Sequence, residues 1–121
     1  MKEKERQAVQ EYQNWLLSRF PQQIERIVLF GSQARGDAAK EADIDLLVVL
    51  RGKATPVGEG LYALGATDPL WREAVGQTFD LLLEYGVEIS PTILHENEYE
   101  EATPLLAHVR QEGIELWKRA A

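Results

Sequence analysis

Two short clusters in this sequence have residue types and spacing suited to chemistry. The first is Gly31-Ser32, which follows the apolar run Ile27-Val28-Leu29-Phe30. The second is Asp43-Ile44-Asp45, separated from Ser32 by ten residues and opening a second apolar run that ends at Leu50. Gly31 lacks a Cβ, so its backbone can approach a ligand closely. Ser32 opens a brief helical turn whose free N–H groups suit phosphate oxygens. Asp43 and Asp45 are two apart, so on a strand both side chains leave one face while Ile44 turns into the core. Two carboxylates on one face repel each other, and a hard divalent cation relieves that repulsion. Oxygen ligands of this kind select Mg²⁺ or Mn²⁺. A phosphate cradle opposite such a pair is equipment for phosphoryl or nucleotidyl transfer. Alone, each cluster has an ordinary reading, a turn after a strand or a solvated strand start. The two together, each at the end of a strand, point to a site.

The elements that must position them are legible from pattern. Residues 3–19 have helical spacing at Val9, Tyr12, Leu16 and Phe20, with Trp15 beside them, and Pro21 ends the helix. A strand over 27–30 leads to a turn at 32–36, closed by Gly36, and a polar connection at 37–42. Ile44–Leu50 is apolar almost throughout, as in a strand covered on both faces. Residues 51–67 carry Gly52, Pro56, Gly58, Gly60 and Gly65 without a period, and connections this long are usually functional or mobile. Asp68-Pro69 is an N-cap followed by a first-turn proline. The helix it opens buries Trp71, Ala74, Val75, Thr78, Phe79, Leu82 and Leu83 in this reading, and stops at Gly86. Val87–Leu94 reads as a third strand, with Pro91 placing it at an edge or a bulge. After an acidic turn at 96–102, Thr103-Pro104 opens a last helix carrying Leu106, Val109, Leu116 and Trp117 on one side. Gly113, expected in its middle, suggests close approach of another backbone. The class is α/β (α+β), a small mixed sheet of three or more strands packed with helices.

Composition bounds the function. The 121 residues amount to one domain, 1–121, with a net charge of −7. An acidic chain gains nothing from counterion release on a polyanion, which argues against a nucleic-acid substrate. Cysteine is absent, so neither disulfides nor thiolate metal sites are available. The charged start Met1-Lys2-Glu3-Lys4-Glu5-Arg6 is unlike a signal peptide, and no apolar run approaches a membrane span. The expected setting is the cytoplasm, away from membranes.

Leu29-Phe30-Gly31-Ser32-Gln33-Ala34-Arg35-Gly36-Asp37, followed by Asp43-Ile44-Asp45-Leu46, resembles the GSx10DxD signature of the minimal nucleotidyltransferases of the DNA polymerase β superfamily, in particular the prokaryotic HEPN/MNT antitoxin-like branch. The resemblance implies the nucleotidyltransferase fold, with Gly31, Ser32 and Arg35 binding nucleotide phosphates. It implies two Mg²⁺ or Mn²⁺ ions with bound NTP, held by Asp43 and Asp45. It also implies a third carboxylate on the next sheet strand. Glu88 is the candidate, although the family usually has Asp there, and it would help activate the acceptor hydroxyl. Asp80 competes but falls within the predicted helix. Ala42 stands where the family usually has Ser. The implied activity is AMP transfer from ATP to a hydroxyl on a partner HEPN-domain toxin. The alternatives are a non-catalytic binding module and a homodimeric enzyme acting on a small molecule of antibiotic type.

Other residues have plainer readings. Arg35 either reaches a triphosphate or partner protein, or pairs with Asp37. Lys40, Arg51 and Lys53 read as solvated loop charges, and Glu96, Glu98, Glu100 and Glu101 as a solvated acidic face. His95 and His108 have no partner at metal-ligand spacing. Trp15, Trp71 and Trp117 sit on helical stripes suited to a core or interface.

Overall fold

The computed structural model describes residues 1–36, 43–53, 56–58, 61–62, 68–101 and 103–120. The chain runs α1 (Glu3–Arg19), β1 (Ile24–Phe30), α2 (Ser32–Arg35), β2 (Ile44–Leu50), β3 (Pro56–Gly58), β4 (Leu61–Tyr62), α3 (Pro69–Tyr85), β5 (Ile89–His95), α4 (Glu96–Tyr99), α5 (Pro104–Glu112) and β6 (Ile114–Lys118). Four strands form one mixed sheet in the order β5-β2-β1-β6. β1 pairs antiparallel with β2 and with β6, and β5 lies parallel to β2. Parallel neighbours need a crossover, and α3 supplies it between β2 and β5. β5 is an edge strand, and Pro91 sits where the expectation put it.

Alternation along the strands divides the apolar residues between two faces. Ile27 and Leu29 of β1 join Ile44, Leu46, Val48 and Leu50 of β2 against α1 and α3. Val28 of β1 and Leu47 and Val49 of β2 meet Leu106 and Val109 of α5 on the other face. Val9, Tyr12, Leu16 and Phe20 are all buried, as the helical spacing of α1 predicts. The Tyr12 hydroxyl donates to the Ala74 carbonyl at 2.7 Å and ties α1 to α3. Burial pushes that phenol's pKa up. Asp68 caps α3 by accepting from the Leu70 N–H at 2.9 Å, and Thr103 caps α5 by accepting from Leu106 at 3.2 Å.

Several expectations need correction. β1 starts at Ile24, three residues before the predicted strand. β5 starts at Ile89, so Val87 and Glu88 precede the strand instead of opening it. The last helix stops at Glu112, and Leu116 and Trp117 lie on β6, which pairs with β1. Gly113 ends that helix in extended geometry instead of sitting in its middle. The expected close approach of another backbone holds: a Cβ there would meet the Val109 carbonyl, the Val28 side chain and, at 3.4 Å, the Leu29 carbonyl of β1. A helix continued through Gly113 would leave the β1 edge unpaired, and ladder hydrogen bonds favour the strand. In α3 the buried residues are Ala74 and Leu81, whereas Phe79, Leu82 and Leu83 are 62%, 40% and 86% exposed. The helix has two apolar stripes, and α1 and the sheet cover only one.

Residues 51–67, expected to be irregular, include the short antiparallel pair β3–β4. The acidic run is only partly a solvated face. Glu96 accepts from the Gly52 N–H at 2.7 Å and Glu98 from the His95 N–H at 3.0 Å, while Glu100 and Glu101 are exposed. Lys40, Asp37 and Ala42 lie outside the described residues. Among the described residues no helix is long and apolar enough to cross a membrane.

Candidate active site

The candidate residues meet at one end of the sheet. β1 delivers its C-terminal end there, and the starts of β2 and β5 lie beside it. Phe30 pairs with Asp45, which places Gly31 one residue beyond that pair. Gly31 has φ +74° and ψ −156°, a conformation essentially confined to glycine. A Cβ there would overlap the Asp45 carboxylate. The missing side chain therefore lets the Gly-Ser turn sit directly against the second aspartate. α2 is a single turn closed by Gly36 in the left-handed region at φ +78°.

Strand alternation puts Asp45 on the α5 side of the sheet, with Leu47 and Val49. Ile44 is buried on the other face, as expected. Asp43 accepts a hydrogen bond from the Ser90 hydroxyl at 3.1 Å. Ile44 N–H donates to the Glu88 carbonyl at 3.0 Å, tying the residues ahead of β5 to the start of β2. The Glu88 carboxyl hydrogen-bonds Asp43, and that bond, with the Asp43 charge and some desolvation, raises the Glu88 pKa. The Asp45 pKa is also raised, first by burial and then by Asp43, while Arg35 opposes the shift. Three acids are thus linked in series, Glu88 to Asp43 and Asp43 to Asp45, with Arg35 as the nearby cation.

The donor set consists of hard oxygens, and the Asp43 charge contributes to both shifts, after burial at Asp45 and after the hydrogen bond at Glu88. That chemistry fits a divalent cation beside Asp43 and Asp45, with phosphate oxygens completing its shell. Among the described residues no three His, Cys, Asp or Glu side chains are gathered as a metal cage. Glu88 is turned toward Asp43.

Arg35 pairs with Glu112 of α5 at 3.5 Å, a partner that sequence reading did not provide. A cleft of about 400 Å³ lies alongside, lined by Phe30, Gly31, Arg35, Leu105, His108, Val109 and Glu112. His108, which has no partner at metal-ligand spacing in the sequence, is exposed and lines this cleft. Asp80 is exposed on α3, in the helix predicted for it. Ser90 is the residue sequence analysis missed most avoidably, because it shares strand parity with Glu88. Glu112 gave no such signal, since only folding brings α5 to α2.

Comparison with known proteins bears on what this arrangement is. The profile of the nucleotidyltransferase domain matches residues 9–106. A Methanocaldococcus jannaschii protein assigned as a protein adenylyltransferase is 49% identical over 45 residues, which are 37% of this chain and 45% of that protein. The matched segment thus spans less than half of that relative. A Sulfolobus solfataricus protein assigned as a nucleotidyltransferase shares the fold, with TM-score 0.53 and 23% identity over 93% of this chain and 79% of that one. A toxin–antitoxin structure with AMP-PNP gives TM-score 0.50 and 21% identity, over 90% of this chain and 73% of that one. A mutant of the toxin–antitoxin MntA–HpeT gives 0.52 and 18%, with the same coverage. At these identities the structural likeness establishes the fold, and the profile match over most of the chain establishes the family. The expected resemblance to the minimal nucleotidyltransferases holds, and the chain belongs to the nucleotidyltransferase domain family.

Proposed function

We propose that this protein transfers AMP from ATP to a hydroxyl group on a partner protein, with a HEPN-domain toxin as the acceptor. The observation that carries the reading is the seating of the side-chain-free Gly31 turn against Asp45, with Asp43 and Glu88 linked beside it. The relative named as a protein adenylyltransferase favours an adenylyl donor and a protein acceptor. Fold neighbours taken from toxin–antitoxin structures agree with that choice. A net charge of −7 suits a protein acceptor better than a nucleic acid.

In this reading Gly31 admits a phosphate close to the backbone, and Ser32 donates its hydroxyl to it. The first-turn N–H groups of α2 lie beyond the reach of intrahelical acceptors and face the same oxygens. Arg35 exchanges Glu112 for the negative charge of the triphosphate. Asp43 and Asp45 would hold two Mg²⁺ or Mn²⁺ ions, which supply charge neutralisation at the transferring phosphoryl group when bound. Glu88, with its raised pKa, accepts the proton of the acceptor hydroxyl. The acceptor oxygen forms its bond to the α-phosphorus, the bond to the bridging oxygen breaks, and pyrophosphate leaves.

A second reading, a non-catalytic module that neutralises a partner by contact, is favoured by the lack of a three-carboxylate cage among the described residues. Incubation with α-labelled ATP, Mg²⁺ and a HEPN protein encoded beside this chain separates the two. The first reading expects label on the partner and a mass gain of one AMP, lost when Mg²⁺ is chelated. A tight, unlabelled complex would establish the second reading. Label on a small molecule alone would establish a small-molecule transferase.

A further inference from the structure

α3 carries an apolar face that nothing in the described fold covers. Phe79, Leu82 and Leu83 are 62%, 40% and 86% exposed. They sit at i, i+3 and i+4, so their side chains form one ridge. Half-buried Val75 continues it one turn back, and exposed Gly76 leaves open space beside it. A ridge with an adjacent gap is what a second helix packs against. The opposite stripe of the same helix, with Ala74 and Leu81, is already used against the core.

Charge around the ridge indicates what would cover it. Asp80 and Glu84 are exposed along one flank, and Glu88 is exposed just past its C-terminal end. Arg72 stands two turns back at the far end. A second copy of this chain would bring the same acidic flank and another −7 of net charge into contact, and like charges across an interface are costly. The same flank repels an anionic membrane surface. We propose that the Phe79–Leu82–Leu83 face docks a cationic amphipathic helix of a partner protein, apolar side chains on the ridge and lysines or arginines against Asp80 and Glu84.

The position gives that docking a use. Glu88 lies five positions beyond Leu83, so their Cα atoms are at most about 18 Å apart. A partner held on the last two turns of α3 has its neighbouring residues within reach of the carboxylates. The docking itself does not rest on the proposed activity; only the fate of the docked chain does.

The test uses a fluorescein-labelled 18-residue Leu/Lys amphipathic helix and its Leu/Glu counterpart, with anisotropy read at 0.15 M salt and no nucleotide. The full chain should bind the Leu/Lys peptide and not the Leu/Glu peptide. The double variant Phe79→Ser/Leu83→Ser, which keeps every charge, should weaken binding at least tenfold with an unchanged circular dichroism spectrum. Asp45→Asn should bind like the parent, which separates failure of the docking face from failure of the proposed chemistry. Equal Leu/Lys binding by parent and double variant would overturn the proposal by reducing the contact to net charge. No binding by the parent would overturn it as well. So would a parent dimer in sedimentation velocity that Leu83→Ser converts to monomer, because a second copy would then own the face.

Discussion

The glycine at position 31 and the carboxylate of Asp45 occupy adjoining space so closely that a methyl group on the first would overlap the second. β1 and β2 are in register at Phe30 and Asp45, so the chain must turn away immediately beyond that pair. Gly31→Ala places a Cβ in that overlap and in a backbone conformation that side chains avoid, a cost of about 1–3 kcal/mol. The expected result is a lower melting temperature together with loss of adenylyl transfer. Ser32→Ala removes one hydroxyl donor of several, about 1–2 kcal/mol of binding. Its activity should fall only about tenfold. The reverse ranking in a side-by-side rate measurement would move the phosphate away from this turn.

Asp45→Asn should abolish transfer and leave the nucleotide-free, metal-free protein as stable as the parent or more so. Burial and the neighbouring Asp43 raise the Asp45 pKa in the folded state. A raised folded pKa means the folded protein holds a proton that the unfolded chain gives up. That contribution is full below the ordinary aspartate pKa of about 3.9 and disappears as pH rises through the folded value. The parent should therefore lose ground to Asp45→Asn between about pH 4 and neutrality, read as the difference in thermal midpoints across that range in EDTA. A gap that narrows with rising pH would contradict the assignment.

Glu88→Gln keeps the shape and a hydrogen bond to Asp43 but has no carboxylate to take a proton. The transfer rate should fall by about 10²-fold or more, with little change in KM for ATP. Glu88→Asp restores the acid at one methylene less and should stay within about tenfold of the parent. Equal rates for Glu88→Gln and the parent would remove Glu88 from the chemistry.

Gly113→Ala tests the edge strand. A Cβ there would meet the Val109 carbonyl and come within 2.7 Å of Val28 Cγ1. Because its φ is −67°, the cost is steric and not conformational. Overpacking of this kind costs about 1–3 kcal/mol. Denaturant unfolding should show a lowered midpoint, and amides of β6 should exchange faster than those of β2. An unchanged midpoint would mean β6 contributes little to the fold.

Local chemistry in the sequence determined a good deal of this protein. The spacing of Val9, Tyr12, Leu16 and Phe20 defines α1 because helical period and apolar type agree along the whole segment. Asp68-Pro69 and Gly86 bracket α3, since capping and left-handed closure are decided within a few residues. Gly31, Ser32, Asp43 and Asp45 were legible as a group because a glycine turn and an alternating strand fix directions locally.

Tertiary structure decided the rest. Leu116 and Trp117 fit a helical stripe equally well, and only pairing with β1 makes them a strand. Phe79, Leu82 and Leu83 have the pattern of a buried stripe, yet α1 and the sheet cover the opposite side of α3. Arg35 meets Glu112, 77 residues away in sequence, and Glu88 meets Asp43, 45 residues away. The physical reason is common to all four. Periodicity states which residues share a face, whereas burial and pairing depend on what the fold brings to that face, and these long-range terms outweigh local propensity.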